Sequence, residues 1–76
     1  MVTVYRAFGF RFVIFTNDHS PPHVHVFGKG AEALLRLDPL TLVWSNGFKA
    51  PELKRIMAEA GAERGRLIEE WNRIHG

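Results

Sequence analysis

The chain has 76 residues, no cysteine and a formal net charge of +2 at pH 7. A chain of this length forms one domain, here residues 1–76, with a small core. The lack of cysteine excludes disulfides and thiolate zinc sites, so any metal site must use His, Asp and Glu side chains. The basic residues are spread along the chain, which excludes a basic arm that would bind nucleic acid by charge alone.

The sequence gives no sign of a membrane or secretion segment. Its apolar stretches are much shorter than the roughly 20 residues that cross a bilayer. Residues 1–6 lack the charged leader and long apolar run of a signal peptide. We therefore expect a complete, cytoplasmic chain without membrane contact.

The first part of the chain predicts two strands and a loop. One strand begins at Val2 and ends before Gly9, which marks a turn. Residues 10–15 are apolar at nearly every position, as in a strand from the interior of a sheet. Residues 17–22 contain Asn, Asp, Ser and two prolines, which disfavour strand pairing and predict a loop. We expect the peptide bonds before both prolines to be trans.

The next two segments predict a β-hairpin. Residues 23–27 and 31–37 have alternating patterns, and Lys29-Gly30 between them suits a two-residue turn. This register gives one apolar face with the pairs Val24–Leu35 and Val26–Ala33. The opposite face collects imidazole, carboxylate and guanidinium groups in the pairs Phe27–Glu32, His25–Leu34 and His23–Arg36.

The last third of the chain predicts a fifth strand and one long helix. Residues 40–44 suit a strand, and from Pro51 apolar residues recur at steps of three and four. That phase continues past Gly61 and Gly65, which favours one helix that ends near His75. We therefore predict an α+β fold, an antiparallel meander of four to five strands with one long C-terminal helix packed on one face.

The predicted helix is longer than such a sheet requires. About 25 helical residues span roughly 37 Å. We expect the apolar residues of this helix, Trp71 included, to lie in the core or at an interface. The far end, with Trp71 and Ile74, is the part expected to meet another chain, for example in a homo-oligomer formed through this helix.

The segment Asp18-His19-Ser20-Pro21-Pro22-His23-Val24-His25 is the most distinctive part of the sequence. It resembles the signature of a bacterial family, domain of unknown function 4160, and the resemblance covers nearly the whole chain. Members of this family are often encoded beside a second small protein, in an arrangement similar to toxin–antitoxin pairs. The resemblance therefore implies a second small protein as a partner.

One interpretation of this segment is a metal site. His23 and His25 are two residues apart on a strand, so their side chains share a face with Cα atoms about 6.5 Å apart. Two imidazoles at this spacing can bind one divalent ion such as zinc. The third ligand would be Asp18 or His19 from the loop, or Glu32 from the next strand, and water would take the fourth position.

A second interpretation is metal-free acid–base chemistry on RNA. Among His19, His23 and His25, one neutral imidazole would take the 2′-hydroxyl proton and a protonated one would protonate the leaving oxygen. Arg36 or Arg11 would stabilise the charge on the phosphorus. Phe27 and Trp44 are candidates to stack on an unpaired base.

A third interpretation is purely structural, with half-buried histidines hydrogen-bonded to Asp18, Glu32 or backbone carbonyls. Our first functional hypothesis is a toxin–antitoxin-like component that acts on RNA through His19, His23, His25 and Arg36. The alternative is a non-catalytic protein-interaction module that binds a metal or an anion at the same cluster.

Overall fold

The computed structural model describes all 76 residues as five strands and two helices. The strands are β1 (Val2–Ala7), β2 (Phe10–Ile14), β3 (His23–Gly28), β4 (Ala31–Leu37) and β5 (Leu40–Asn46). The helices are α1 (Ala50–Ala62) and α2 (Arg64–His75). Each strand pairs antiparallel with the next, in the order β1-β2-β3-β4-β5. The predicted α+β meander is confirmed, with five strands.

Two-residue turns join β1 to β2 and β3 to β4. The φ angles are 54° and 81° in Phe8-Gly9 and 51° and 77° in Lys29-Gly30. Two consecutive positive φ angles define the type I′ turn, whose twist matches that of paired strands. The second turn sets the β3–β4 register, and all five predicted pairs form as expected, including His23 with Arg36.

The core lies between one face of the sheet and the two helices. Val24 and Val26 are fully buried on this face, as predicted. The helices contribute Ile56, Ala60, Leu67 and Trp71 to the same cluster. Each large apolar side chain removed from water in this way stabilises the fold by about 1.5–3 kcal/mol. Neither helix is both long and apolar enough to cross a membrane.

The prediction of one long C-terminal helix is wrong. The chain leaves the helical conformation at Glu63, whose φ and ψ are −101° and 9°. Gly61 and Gly65 lie on either side of this residue. Each glycine makes a helix less stable than alanine would, by about 1 kcal/mol. The apolar spacing continues through the break, so the spacing alone did not reveal it.

Contacts of Arg64 hold the break in place. Its Nε donates to the carbonyl oxygen of Leu37 at 2.6 Å, and its Nη2 donates to Oδ1 of Asp38 at 2.7 Å. A straight helix of about 25 residues would be roughly 37 Å long, whereas the longest extent of the Cα framework is 34 Å. The break keeps α2 against the sheet. Trp71, which we expected in the core or at an interface with another chain, is only 3% exposed and lies in the core of its own chain.

The second face of the sheet carries the alternate residues of the strands. In its central row, Val13 pairs with His25, His25 with Leu34, and Leu34 with Trp44. Val13 is fully buried although it lies outside the core cluster shared with the helices. Trp44 is 42% exposed. The histidines of β3 therefore lie on a face that combines apolar and polar side chains.

Candidate metal centre

The loop between β2 and β3 places Asp18 beside the start of β3. The backbone N–H of Asp18 donates to the carbonyl oxygen of Phe15 at 3.0 Å. In return, the backbone N–H of Phe15 donates to Oδ2 of Asp18 at 3.1 Å. These reciprocal bonds close a tight turn and fix the direction of the carboxylate. The Ser20–Pro21 peptide bond in this loop is cis, contrary to the expected trans form.

His23 and His25 are the first and third residues of β3, so their side chains share one face. The Nε2 atom of His23 lies 3.3 Å from Oδ2 of Asp18, and the Nε2 atom of His25 lies 3.7 Å from the same oxygen. One ligand atom from each of the three residues lies within 4.8 Å of the other two. All three side chains are 16–17% exposed. The structure thus brings two imidazoles and one carboxylate to a single, largely buried point.

The second ring nitrogen of each histidine has its own acceptor. Nδ1 of His23 lies 2.9 Å from the carbonyl oxygen of Pro21, and Nδ1 of His25 lies 3.4 Å from Oε2 of Glu32. Both acceptors require the proton on Nδ1, which leaves the lone pair of a neutral ring on Nε2. Nε2 of His25 is buried and has no hydrogen-bond partner. In this neutral tautomer, each ring presents an electron pair toward the carboxylate of Asp18.

Aromatic rings pack around the two imidazoles. The Phe15 ring contacts His25 edge-on, with centroids 4.6 Å apart. The Trp71 ring of α2 lies 4.9 Å from the ring of His23, and His75 stacks on Trp71 at 3.9 Å. Such a shell limits the rotation of the imidazoles and lowers the local dielectric, which strengthens electrostatic interactions at the cluster.

Only some of the predicted site residues belong to the cluster. Asp18, His23 and His25 form the cluster. Glu32 lies on the far side of the His25 ring, at Nδ1. His19 lies outside the cluster and lines a cavity of about 190 Å³ together with His23 and Arg36.

The sequence analysis did not identify two groups that contact the histidines of the site, the carbonyl oxygen of Pro21 and the ring of Trp71. The carbonyl oxygen of Pro21 is a backbone atom, and no residue type identifies such an acceptor. Trp71 is far from the histidines in sequence. The only signal for it was its apolar position on α2, which indicates burial but not the residue that it contacts.

Fold and cluster together define a small α+β protein with a histidine–aspartate cluster on an antiparallel sheet. The chain belongs to the family described as Domain of unknown function (DUF4160), whose model matches residues 9–72. The predicted family membership is therefore confirmed. The matched residues include the cluster and Glu32, while β1 lies outside them. Comparisons with curated proteins and with solved structures returned no match.

Proposed function

We propose that the chain binds one divalent transition-metal ion through Asp18, His23 and His25, with a coordination position left open. The convergence of Nε2, Nε2 and Oδ2 carries this proposal. With both Nδ1 protons directed to other acceptors, all three converging atoms present electron pairs. Electron pairs at this distance repel one another unless a metal ion, or a proton on Nε2, lies between them.

The spacing of the three residues suits a tetrahedral ion. Two ligands bonded to zinc at about 2.0–2.1 Å are separated by about 3.3 Å in a tetrahedron. The two distances from Asp18 Oδ2, 3.3 and 3.7 Å, are close to this separation. The two histidine nitrogens lie within 4.8 Å of each other, so binding of the ion requires the two imidazoles to draw together.

The ligand types define the class of ion and of site. Imidazole favours zinc, iron, nickel and copper, whereas magnesium and calcium prefer sets of oxygen ligands. Structural zinc sites use four protein ligands, but catalytic ones use three and leave a position for water or substrate. A water molecule in that position would lose a proton near neutral pH and act as a nucleophile. The site is therefore of the catalytic type.

Metal-free RNA cleavage by His19, His23, His25 and Arg36 has less support. The two imidazoles of β3 converge on the negative carboxylate of Asp18, which would repel a phosphate bound at the same point. His19 lies outside that cluster. A toxin–antitoxin-like role beside a second small protein stays a prediction from the family resemblance.

Zinc titration of chelator-treated protein tests the proposal. We expect one zinc ion per chain, measured by competition with a chromophoric chelator. Asp18→Asn keeps an acceptor for the Phe15 N–H but removes the charged ligand, so affinity should fall more than about 100-fold. His25→Ala should cause a similar loss.

His19→Ala is the matched control, since it removes a neighbouring imidazole outside the cluster and should leave zinc affinity unchanged. Thermal melts establish that each variant is folded. No stoichiometric binding of zinc, iron(II) or nickel(II), or equal losses in His19→Ala and His25→Ala, would overturn the proposal. RNA cleavage that survives chelation and disappears in His19→Ala would favour the metal-free alternative.

A further inference from the structure

An open groove of about 810 Å³ lies between the β1–β2 turn and the β3–β4 turn, at one end of the sheet. Its charged lining consists of Arg6, Arg11, Lys29 and Glu32. The two hairpins touch beside it, because a Cβ atom added to Gly28 would meet the Phe10 ring at 2.7 Å. The groove therefore has closely packed walls and an excess of positive charge.

Arg6 and Arg11 form a direct cross-strand pair in this groove. Like charges in that position destabilise a sheet. Neither guanidinium takes part in any ion pair or hydrogen bond of the chain. The neighbouring carboxylate of Glu32 contacts His25 instead. The sheet thus holds two paired arginines on neighbouring strands, neither with a negative partner of its own.

The arginine pair shares a sheet face with the histidine–aspartate cluster. Arg11 pairs with Phe27, which lies two residues from His25 on β3. This separation is about 6.5–7 Å along the strand. The guanidinium of Arg11 lies 5.6 Å from the centroid of the Phe27 ring, which helps to hold it in place. The arginine pair and His25 of the cluster are therefore neighbours on one face of the sheet.

We infer that Arg6 and Arg11 form a phosphate-binding subsite and that the ligand of the metal centre carries a phosphate group. A carboxylate can satisfy one guanidinium fork, whereas two adjacent forks match the additional oxygens and higher charge of a phosphate. The statement about the metal centre's ligand rests on the proposed function, while the subsite itself does not require a metal.

The phosphate group has two possible sources, a small phosphate ester or the backbone of a single nucleic-acid strand. Phe27 and the exposed Trp44 lie on the same face and provide rings on which bases can stack. A single nucleic-acid strand would therefore gain stacking contacts that a small phosphate ester lacks.

Titration with inorganic phosphate, followed by amide NMR shifts, tests the subsite. The protein is first treated with chelator, because bound zinc would itself attract phosphate. We expect saturable shifts at Arg6, Arg11 and Phe27. The double variant Arg6→Gln/Arg11→Gln should weaken binding by about tenfold or more, because it removes charge-assisted hydrogen bonds. Arg73→Gln, which removes a charge at the exposed end of α2, should leave binding unchanged.

The two proposals fail separately. His25→Ala should lose zinc binding but keep phosphate binding. Arg6→Gln/Arg11→Gln should weaken phosphate binding but keep zinc binding. Absence of saturable phosphate binding, or equal binding by the double variant and the parent, would overturn the subsite. Titrations with a nucleoside monophosphate and with a thymidine oligonucleotide then identify the source. A much higher, salt-dependent affinity for the oligonucleotide would identify a nucleic-acid strand as the source of the phosphate group. Equal affinities for the two ligands would identify a small phosphate ester.

Discussion

Nδ1 of His25 lies 3.4 Å from Oε2 of Glu32, across the diagonal of the β3–β4 hairpin. The sequence analysis considered Glu32 as a direct metal ligand. The structure places its carboxylate on the opposite side of the imidazole from Asp18. Contacts of this kind fix the tautomer and orientation of a ligating histidine and increase its basicity. Glu32 would therefore act on a bound metal through His25.

Glu32→Gln should lower zinc affinity by about 10–100-fold without unfolding the protein. Glutamine keeps the size of the side chain and an oxygen acceptor, but it loses the negative charge that polarises the imidazole. Competition titration against a chelator measures the change. Glu69→Gln, on the exposed side of α2, is the control for the loss of one negative charge. Parent-like affinity in Glu32→Gln would show that the carboxylate does not tune His25.

Leu67→Ala should lower the free energy of unfolding by about 2–5 kcal/mol, because Leu67 of α2 is fully buried in the core. Leu53 packs against the same core but is only partly buried, so Leu53→Ala should cost less. Urea denaturation of both variants measures the two values. A greater loss in Leu53→Ala would mean that α1, and not α2, contributes most to the core.

Gly65→Ala should raise the free energy of unfolding by about 0.5–1 kcal/mol. Gly65 lies within α2, and an added Cβ atom would meet nothing within 4 Å. Gly30→Ala is the matched comparison, because its Cβ atom is equally free of contacts but its φ is +77°. That backbone conformation costs an L-residue about 1–2 kcal/mol, so Gly30→Ala should be destabilising. Urea midpoints of the same sign for both variants would contradict this account.

The β3–β4 hairpin could be predicted in detail because its determinants are local. Alternation within each strand identifies the two faces, and the turn at Lys29-Gly30 leaves one register that buries Val24 and Val26. Convergence of His23 and His25 followed from the same alternation. The alternation could not decide which of Asp18, His19 and Glu32 is the third ligand, because that choice depends on the three-dimensional path of the loop.

The helical region was harder to predict because its determinants are tertiary. The apolar spacing is the same for a straight helix and for two helices that pack on one sheet. Arg64 holds the break through Leu37 and Asp38, which are far away in sequence. The contact of Trp71 with His23 likewise joins residues that are far apart in sequence. No pattern within residues 50–76 encodes these long-range contacts.

The hydroxyl of Tyr5 donates a hydrogen bond of 2.8 Å to Oε1 of Glu59 on α1. This bond, followed by partial burial and the negative charges of Glu59 and Glu63, raises the pKa of Tyr5 above its ordinary value of about 10. Below the unfolded-state pKa, both states keep the phenolic proton and the stabilisation is complete. As pH rises toward the folded-state pKa, only the folded state keeps the proton, so the free energy of unfolding should fall.

Tyr5→Phe should remove this alkaline loss of stability, because phenylalanine has no proton to release. Parallel urea titrations of parent and variant between about pH 8 and pH 11 measure the difference, in the range set by the ordinary tyrosine pKa. Tyr5 is the only tyrosine of the chain, so tyrosinate absorbance reports its ionisation directly. Glu59→Gln keeps an acceptor but removes the nearest negative charge, and it should lower the Tyr5 pKa toward the ordinary value. Ionisation of the folded parent at the ordinary tyrosine pKa would show that the Tyr5–Glu59 bond does not join β1 to α1 in solution.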